Sequence, residues 1–171
     1  MERSKDQKLS DAITEAGAAS WSVRAAAGRF LAAAPEIEAV ADVLHRLLLD
    51  AQNTAVTSDT AAALLARGDL PGLRAVLAAL AQTTDDDGGT AEQLSAELDC
   101  DPRWTTRDSV AELIRQLQTL TSDTDPGVRD EARWRLSRLD QQAIADHGIQ
   151  LHLGIPSSAA VAWNDEGMPQ F

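Results

Sequence analysis

The sequence contains no tyrosine, and aromatic residues make up only 4% of its 171 positions. Aromatic and β-branched side chains favour strands, whereas alanine and leucine, which supply much of the apolar content here, are the strongest helix formers. The shortage of aromatics therefore disfavours a β-sandwich. It predicts an all-α protein whose helices pack closely through small side chains.

The sequence also lacks cysteine pairs and long apolar runs. Cys100 is the single cysteine, so an internal disulfide framework and a thiolate metal site are both excluded. No apolar run approaches the roughly 18 residues that a membrane-spanning helix needs. The polar start MERSKDQKLSD has no signal-peptide core. We expect a soluble, cytoplasmic protein with no membrane contact, no cofactor and no metal.

Positive charge is scarce and almost entirely arginine: two lysines stand against 13 arginines, and the net charge is −12. Abundant alanine and arginine together indicate a GC-rich bacterial genome. A strongly acidic surface repels phosphate backbones, which disfavours nucleic acid as a partner. The same surface suits a basic protein partner, or serves only solubility.

What the sequence does contain is helical periodicity. Apolar residues recur at three- and four-residue steps in PEIEAVADVLHRLLLD, DLPGLRAVLAALAQ and RDSVAELIRQLQTL, which is typical of amphipathic helices.

Helices of a second kind lie between these segments and share one pattern. In SWSVRAAAGRFLAAA, NTAVTSDTAAALLAR and DPGVRDEARWRLSRL we number each copy from its valine as position zero: Val23, Val56 and Val128. A preferred N-cap residue stands three positions earlier (Ser20, Asn53, Asp125), a small residue at position four (Ala27, Thr60, Ala132) and leucine at position eight (Leu31, Leu64, Leu136).

The spacing of the copies reveals a fourth. Val23 and Val56 are 33 residues apart, and Val56 and Val128 are 72 apart, which is two units of 36. A copy with Thr90 at position zero, Leu94 at four and Leu98 at eight fills the gap. The pattern predicts four helix pairs, at about 9–32, 36–67, 70–99 and 105–139, after a flexible segment 1–8. Stacked pairs of this kind share one continuous core.

A helix pair whose second helix begins D-x-x-V-R-x-x-A-x-x-x-L resembles a HEAT-like (armadillo-type) repeat. DPGVRDEARWRL and SWSVRAAAGRFL carry the resemblance best, and it covers about residues 9–139, with a period shorter than the roughly 40–47 residues usual for such repeats. It implies a short right-handed α-solenoid of about four antiparallel pairs, whose second-helix face binds another macromolecule.

The resemblance also implies a polar ladder between neighbouring repeats, formed by the turn aspartate and the arginine that follows. Asp125, Arg24 and Arg129 match those positions. Asn53, Ser20 and Thr57 depart from the pattern, so the implied ladder is incomplete.

A candidate binding cluster lies on the last repeat. Trp134 stands at position six, off the predicted core, with Asp130 and Arg133 nearby, and Arg29 occupies position six of the first repeat. A tryptophan beside an arginine is a common hot spot of protein interfaces. The alternative is that Trp134 packs beneath a following helix or the C-terminal tail.

A second candidate is an acidic patch between residues 85 and 101, which contains seven acids and no lysine or arginine. It either attracts a basic partner electrostatically or forms a solvated face. Its members are Asp85, Asp86, Asp87, Glu92, Glu97, Asp99 and Asp101.

The C-terminal extension, residues 140–171, breaks the helical pattern. Ile149, Leu151, Leu153 and Ile155 alternate with polar or small residues, which predicts a short strand at 148–155. This strand either caps the last repeat, pairs with a second copy, or orders on a partner. We expect the extension to be non-helical.

These features favour a non-catalytic protein-binding scaffold or adaptor that uses the second-helix face. One alternative is an immunity-like inhibitor of a basic toxin or effector. Another is an enzyme or small-molecule binder with a groove beside the tail 146–171, although no G-x-S-x-G, P-loop or Cys-x-x-Cys motif supports catalysis.

Overall fold

The structure is a computed structural model that describes residues 4–84, 89–101 and 107–147. This part of the chain is all-helical and contains no strand, so the predicted all-α class is confirmed. A 3₁₀ turn at Ile37–Val40 leads into the third helix. The eight α-helices are α1 (Lys5–Glu15), α2 (Trp21–Ala32), α3 (Ala41–Leu48), α4 (Thr54–Ala66), α5 (Leu70–Leu80), α6 (Thr90–Asp99), α7 (Arg107–Leu120) and α8 (Pro126–His147).

Side-chain caps mark the start of several helices. Asn53 accepts a hydrogen bond from the Ala55 backbone N–H at 2.9 Å, and Asp125 accepts one from the Gly127 N–H at 2.8 Å. Each bond satisfies a backbone donor that the first helical turn leaves unpaired. Ser20 precedes α2 as predicted, but its hydroxyl pairs with the Ser22 hydroxyl instead of a backbone N–H.

The helices pack in two series. The even-numbered helices, which we call the second helices, contact each other in order, α2 with α4 and α4 with α6. The odd-numbered first helices do the same, α3 with α5 and α5 with α7. Helices that follow each other along the chain also pack, as α1 does with α2 and α3 with α4.

The repeat pattern accounts for the core of the second helices. Positions four and eight are buried in all four of them, as the spacing predicts. Position four carries a small residue in three of these helices and Leu94 in α6, position eight carries leucine in all four, and these side chains face neighbouring helices. These residues are Ala27, Thr60, Leu94 and Ala132, and Leu31, Leu64, Leu98 and Leu136.

Position zero behaves differently in the first repeat. Val56, Thr90 and Val128 are buried, but Val23 is 37% exposed. Position zero is therefore not part of the core in every second helix. In the described residues α2 is the one second helix with no other second helix ahead of it, which explains the difference.

Both ends of the predicted repeat region require correction. Helix α1 begins at Lys5, inside the segment 1–8 expected to be flexible, because Ser4 Oγ accepts the Gln7 backbone N–H at 3.2 Å. Helix α8 continues to His147, so residues 140–147 of the extension are helical; DQQAIADH contains no residue that breaks a helix. The predicted strand at 148–155 lies outside the described residues.

The chain forms two compact units, and the boundary between them follows Leu136 within α8. The packing described here belongs to the first unit, Met1–Leu136. None of the described helices is both long and apolar enough to cross a membrane.

Candidate functional site

Position six is exposed in all four second helices, occupied by Arg29, Ala62, Ala96 and Trp134. Ala33, Ala66 and Cys100, at position ten of α2, α4 and α6, are exposed as well. We call these seven residues the second-helix face. Its centre consists of small side chains, and its large side chains stand at the two ends.

Trp134 is 47% exposed at the α8 end of this face. The guanidinium carbon of Arg135 lies 5.1 Å from the centroid of the Trp134 ring, a cation–π distance. Arg135 is itself fixed, because it donates to Asp99 Oδ1 at 2.8 Å, Glu131 Oε1 at 3.0 Å and Ser95 Oγ at 3.2 Å. The ring therefore rests against a guanidinium that three acceptors hold in place.

The other predicted members of the cluster flank Trp134. Arg133 Nη1 donates to Asp130 Oδ1 at 3.3 Å, and Arg133 Nη2 donates to the Thr121 carbonyl at 3.1 Å. Both side chains of this pair are largely exposed. Arg29, at the α2 end of the face, forms an ion pair with Asp59 of α4. The structure thus brings Asp130, Arg133 and Trp134 together. Arg29 lies at the opposite end of the second-helix face.

Arg135 was not predicted from the sequence, although it carries the ring contact. It is buried, and its ion-pair partner Asp99 is 36 residues away along the chain. The sequence does indicate part of this arrangement. Arg135 directly follows Trp134, and Glu131 stands four residues before Arg135, within reach of it on the same helix.

Arg24 is buried in a polar network whose acid, Asp50, is not one that the resemblance implies. Arg24 donates from Nε and Nη2 to the Asp50 carboxylate, at 2.6 Å and 3.1 Å, and from Nη1 to the carbonyls of Ala18 and Ala19. Asp50 also accepts the backbone N–H groups of Gln52 and Asn53 at 3.0 Å. This buried network joins the turn after α1 to the turn before α4.

Electrostatics favour the charged form of both partners. Burial alone would raise the pKa of Asp50, but hydrogen bonds from Arg24, Gln52 and Asn53 hold it below its usual value. The hydrogen bond to Asp50 raises the pKa of Arg24 despite burial. The pair is therefore an ionised connection between the first two repeats.

The second half of the ladder is arranged differently from the implied pattern. Arg129 Nη1 donates to the carbonyls of Asp123 and Thr124 in its own turn, while Asp125 serves as a cap. The inter-repeat acid is Asp123, which accepts Arg74 Nε at 2.8 Å and Arg74 Nη2 at 2.9 Å. Its hydrogen bond with Arg74 lowers the pKa of Asp123.

Asp50 and Asp123 share a signal that the sequence offered. Asp50 stands three residues before the capping residue Asn53, and Asp123 stands two residues before the capping residue Asp125. A carboxylate there can accept backbone N–H groups of the turn and an arginine from a neighbouring repeat at the same time.

The acidic patch is less open than its sequence indicates. Asp101 is buried, Asp99 binds Arg135, and Glu97 accepts hydrogen bonds from Ser58 at 2.5 Å and Gln93 at 3.0 Å. Of the four acids that the structure describes, Glu92 and Asp99 are exposed. Asp85, Asp86 and Asp87 lie outside the described residues.

A groove of about 310 Å³ lies on the first helices, between α3 and α5. Its polar lining includes His45, whose Nε2 lies 3.1 Å from Gln82 Oε1, and Arg74, which binds Asp123. No three His, Cys, Asp or Glu side chains in the described part of the chain are placed to hold a metal ion. The groove proposed beside the tail 146–171 falls largely outside the described residues.

No family model, curated protein or solved structure matches the chain significantly.

Proposed function

We propose that the chain is a HEAT-like solenoid that binds another protein through its second-helix face, without catalysing a reaction. The repeat assignment is supported by the order of helix packing and by the shared burial of positions four and eight. The inter-repeat arginines Arg24 and Arg74 add polar connections of the kind that such repeats use. A right-handed solenoid of about four pairs is consistent with these features.

The observation that carries the binding proposal is Trp134. A large aromatic ring, half exposed beside a stretch of small side chains, offers contact area with little conformational entropy to lose. Arg135 restricts the ring further, and preorganised side chains bind more tightly because less freedom is lost on association. Ala62 and Ala96 leave room for a partner helix or loop against the same face.

The proposal is tested by affinity capture from the native host with quantitative mass spectrometry. Trp134→Ala should reduce capture of the specific partner at least tenfold, because interface tryptophans contribute about 2 kcal/mol or more. Trp21→Ala is the matched control, since Trp21 is 49% exposed but is not part of the second-helix face. Equal capture of the partner by Trp134→Ala, Trp21→Ala and the wild type would mean that Trp134 is not part of the interface.

The partner can be a basic protein, and an inhibitor of a basic toxin is one form that such binding takes. The contacts of Glu97, Asp99 and Asp101 leave less open acidic surface than the sequence indicates. The scaffold or adaptor role therefore ranks ahead of the immunity-like role. No specific observation favours an enzyme.

A further inference from the structure

A separate apolar surface runs along α2. Val23, Ala26 and Phe30 are all exposed, and their steps of three and four residues place them on one side of the helix. Phe30 is 45% exposed. We call these three residues the α2 seam. Its spacing is that of a helix–helix interface, with apolar residues at successive a and d positions.

The repeats indicate what the α2 seam is shaped to contact. The counterparts of Val23 in the other three second helices are buried, and each of those helices has a second helix ahead of it. Val23, at the start of the α2 seam, therefore occupies a position that is covered in the other second helices. A helix is the matching occupant.

The charge around the α2 seam indicates which kind of partner supplies the helix that covers it. Residues 16–35 contain two arginines and no aspartate or glutamate, in a chain of net charge −12. Both arginines are neutralised within the protein, Arg24 by Asp50 and Arg29 by Asp59. A basic partner gains nothing at this surface, whereas two copies of an acidic chain repel each other least where acids are absent.

We propose that the α2 seam joins two copies of this chain in a two-fold symmetric dimer, with the two α2 helices antiparallel. This interface goes beyond the proposed binding function and does not depend on it. The midpoint of the seam falls between Ala26 and Ala27, so the symmetry places Val23 of each copy opposite Phe30 of the other. Small side chains at the midpoint allow the helices to approach closely, and two-fold dimers are the commonest closed assemblies.

The dimer is expected to be weak and strengthened by salt. From Val23 to Phe30 the seam is about 10 Å long at 1.5 Å per residue. Two helices in contact over this length bury less than the roughly 800 Å² per partner of a standard interface. Dissociation constants in the micromolar range are expected. Salt screens the repulsion between two acidic chains, so a higher salt concentration should favour the dimer. The same change should weaken a complex between this chain and a basic protein.

Sedimentation equilibrium of the full chain, from micromolar to submillimolar concentration at low and high salt, tests the proposal. The wild type should form dimers and no larger species. Phe30→Glu and Ala26→Glu should each raise the dissociation constant at least tenfold, with unchanged helical circular dichroism. Ala111→Glu, which adds one carboxylate at an exposed position of α7, is the matched control and should dimerise less than threefold more weakly than the wild type.

Trp134→Glu separates this arrangement from head-to-tail stacking. A head-to-tail contact between α8 of one copy and α2 of the next would be lost in both Phe30→Glu and Trp134→Glu, and it would build open chains. That result would overturn the two-fold dimer. A wild type that stays monomeric at every concentration, or a Phe30→Glu variant that dimerises like the wild type, would overturn it too.

Discussion

Gly28 of α2 and Thr60 of α4 meet where these two helices pack against each other. A Cβ atom added to Gly28 would clash with the Thr60 hydroxyl and lie 3.2 Å from Thr60 Cβ. Both residues are buried. The two second helices thus approach as closely as they do because one of them has no side chain at the contact, in keeping with the small-residue packing that the composition predicts.

Gly28→Ala should lower the free energy of unfolding by about 1–3 kcal/mol, the usual cost of overpacking a tight interior. Urea unfolding followed by circular dichroism measures the change. Thr60→Ala in the same chain should restore part of the loss, because it removes the clashing hydroxyl. Gly17→Ala, where the nearest atom is the Thr14 carbonyl oxygen at 3.5 Å, should change stability by less than about 0.5 kcal/mol. A Gly28→Ala variant as stable as the Gly17→Ala variant would refute the close contact.

Thr57→Val should raise the free energy of unfolding by about 1 kcal/mol. The Thr57 hydroxyl is buried and has no hydrogen-bond partner among the described residues, and an unpaired buried hydroxyl costs about 1–3 kcal/mol. Valine keeps the shape and removes that cost. The control is Thr83→Val, because Thr83 Oγ1 donates to the Leu80 carbonyl at 2.7 Å and this bond would be lost. A destabilised Thr57→Val protein would mean that the hydroxyl has a partner.

Asp50→Asn should be strongly destabilising, by about 3 kcal/mol or more, because it leaves Arg24 buried without its counter-charge. Thermal and urea unfolding at neutral pH give the value. Asp130→Asn breaks an ion pair of similar chemistry with Arg133, but both side chains are exposed, so its effect should stay within about 0.5 kcal/mol. Equal effects at the two sites would contradict a buried ion pair between Arg24 and Asp50.

Asp123 should make the free energy of unfolding depend on pH in the acidic range. Its pKa in the folded state is lowered by Arg74, so between the folded and unfolded pKa values the unfolded chain binds more protons, and stability rises with pH there. The contribution is complete above about pH 4, the ordinary aspartate value, and is lost as the pH falls through the lower folded value. The difference in unfolding free energy between the wild type and Asp123→Asn should therefore be constant from neutral pH to about pH 5 and shrink below pH 4. A difference independent of pH would contradict the Arg74 contact.

Much of the core follows from local periodicity. Leu64 and Leu136 are buried at the same position of the sequence pattern as Leu31 and Leu98, so the spacing alone predicts their burial. Asn53 and Asp125 cap their helices because capping depends on atoms two or three residues away. These features need no knowledge of distant parts of the chain.

Other features depend on residues far apart and could not be predicted in the same way. Asp50 binds an arginine 26 residues earlier, and Asp99 binds one 36 residues later. Asp101 is buried although its neighbours in sequence are acidic and polar. Val23 shares its pattern with Val56, and only the order of the helices in space distinguishes the exposed copy from the buried one.

The most direct test of the binding account is site-specific photo-crosslinking in the native host. A photoreactive residue is placed at Ala62 or Ala96, on the second-helix face, and in parallel at Ala41 or Ala111, which are exposed on the first helices. We predict that the same partner protein crosslinks from Ala62 and Ala96 and not from Ala41 or Ala111, with the yield reduced by Trp134→Ala. Crosslinking that is confined to the first helices, or that gives no protein adduct from the second-helix face, would contradict the proposal.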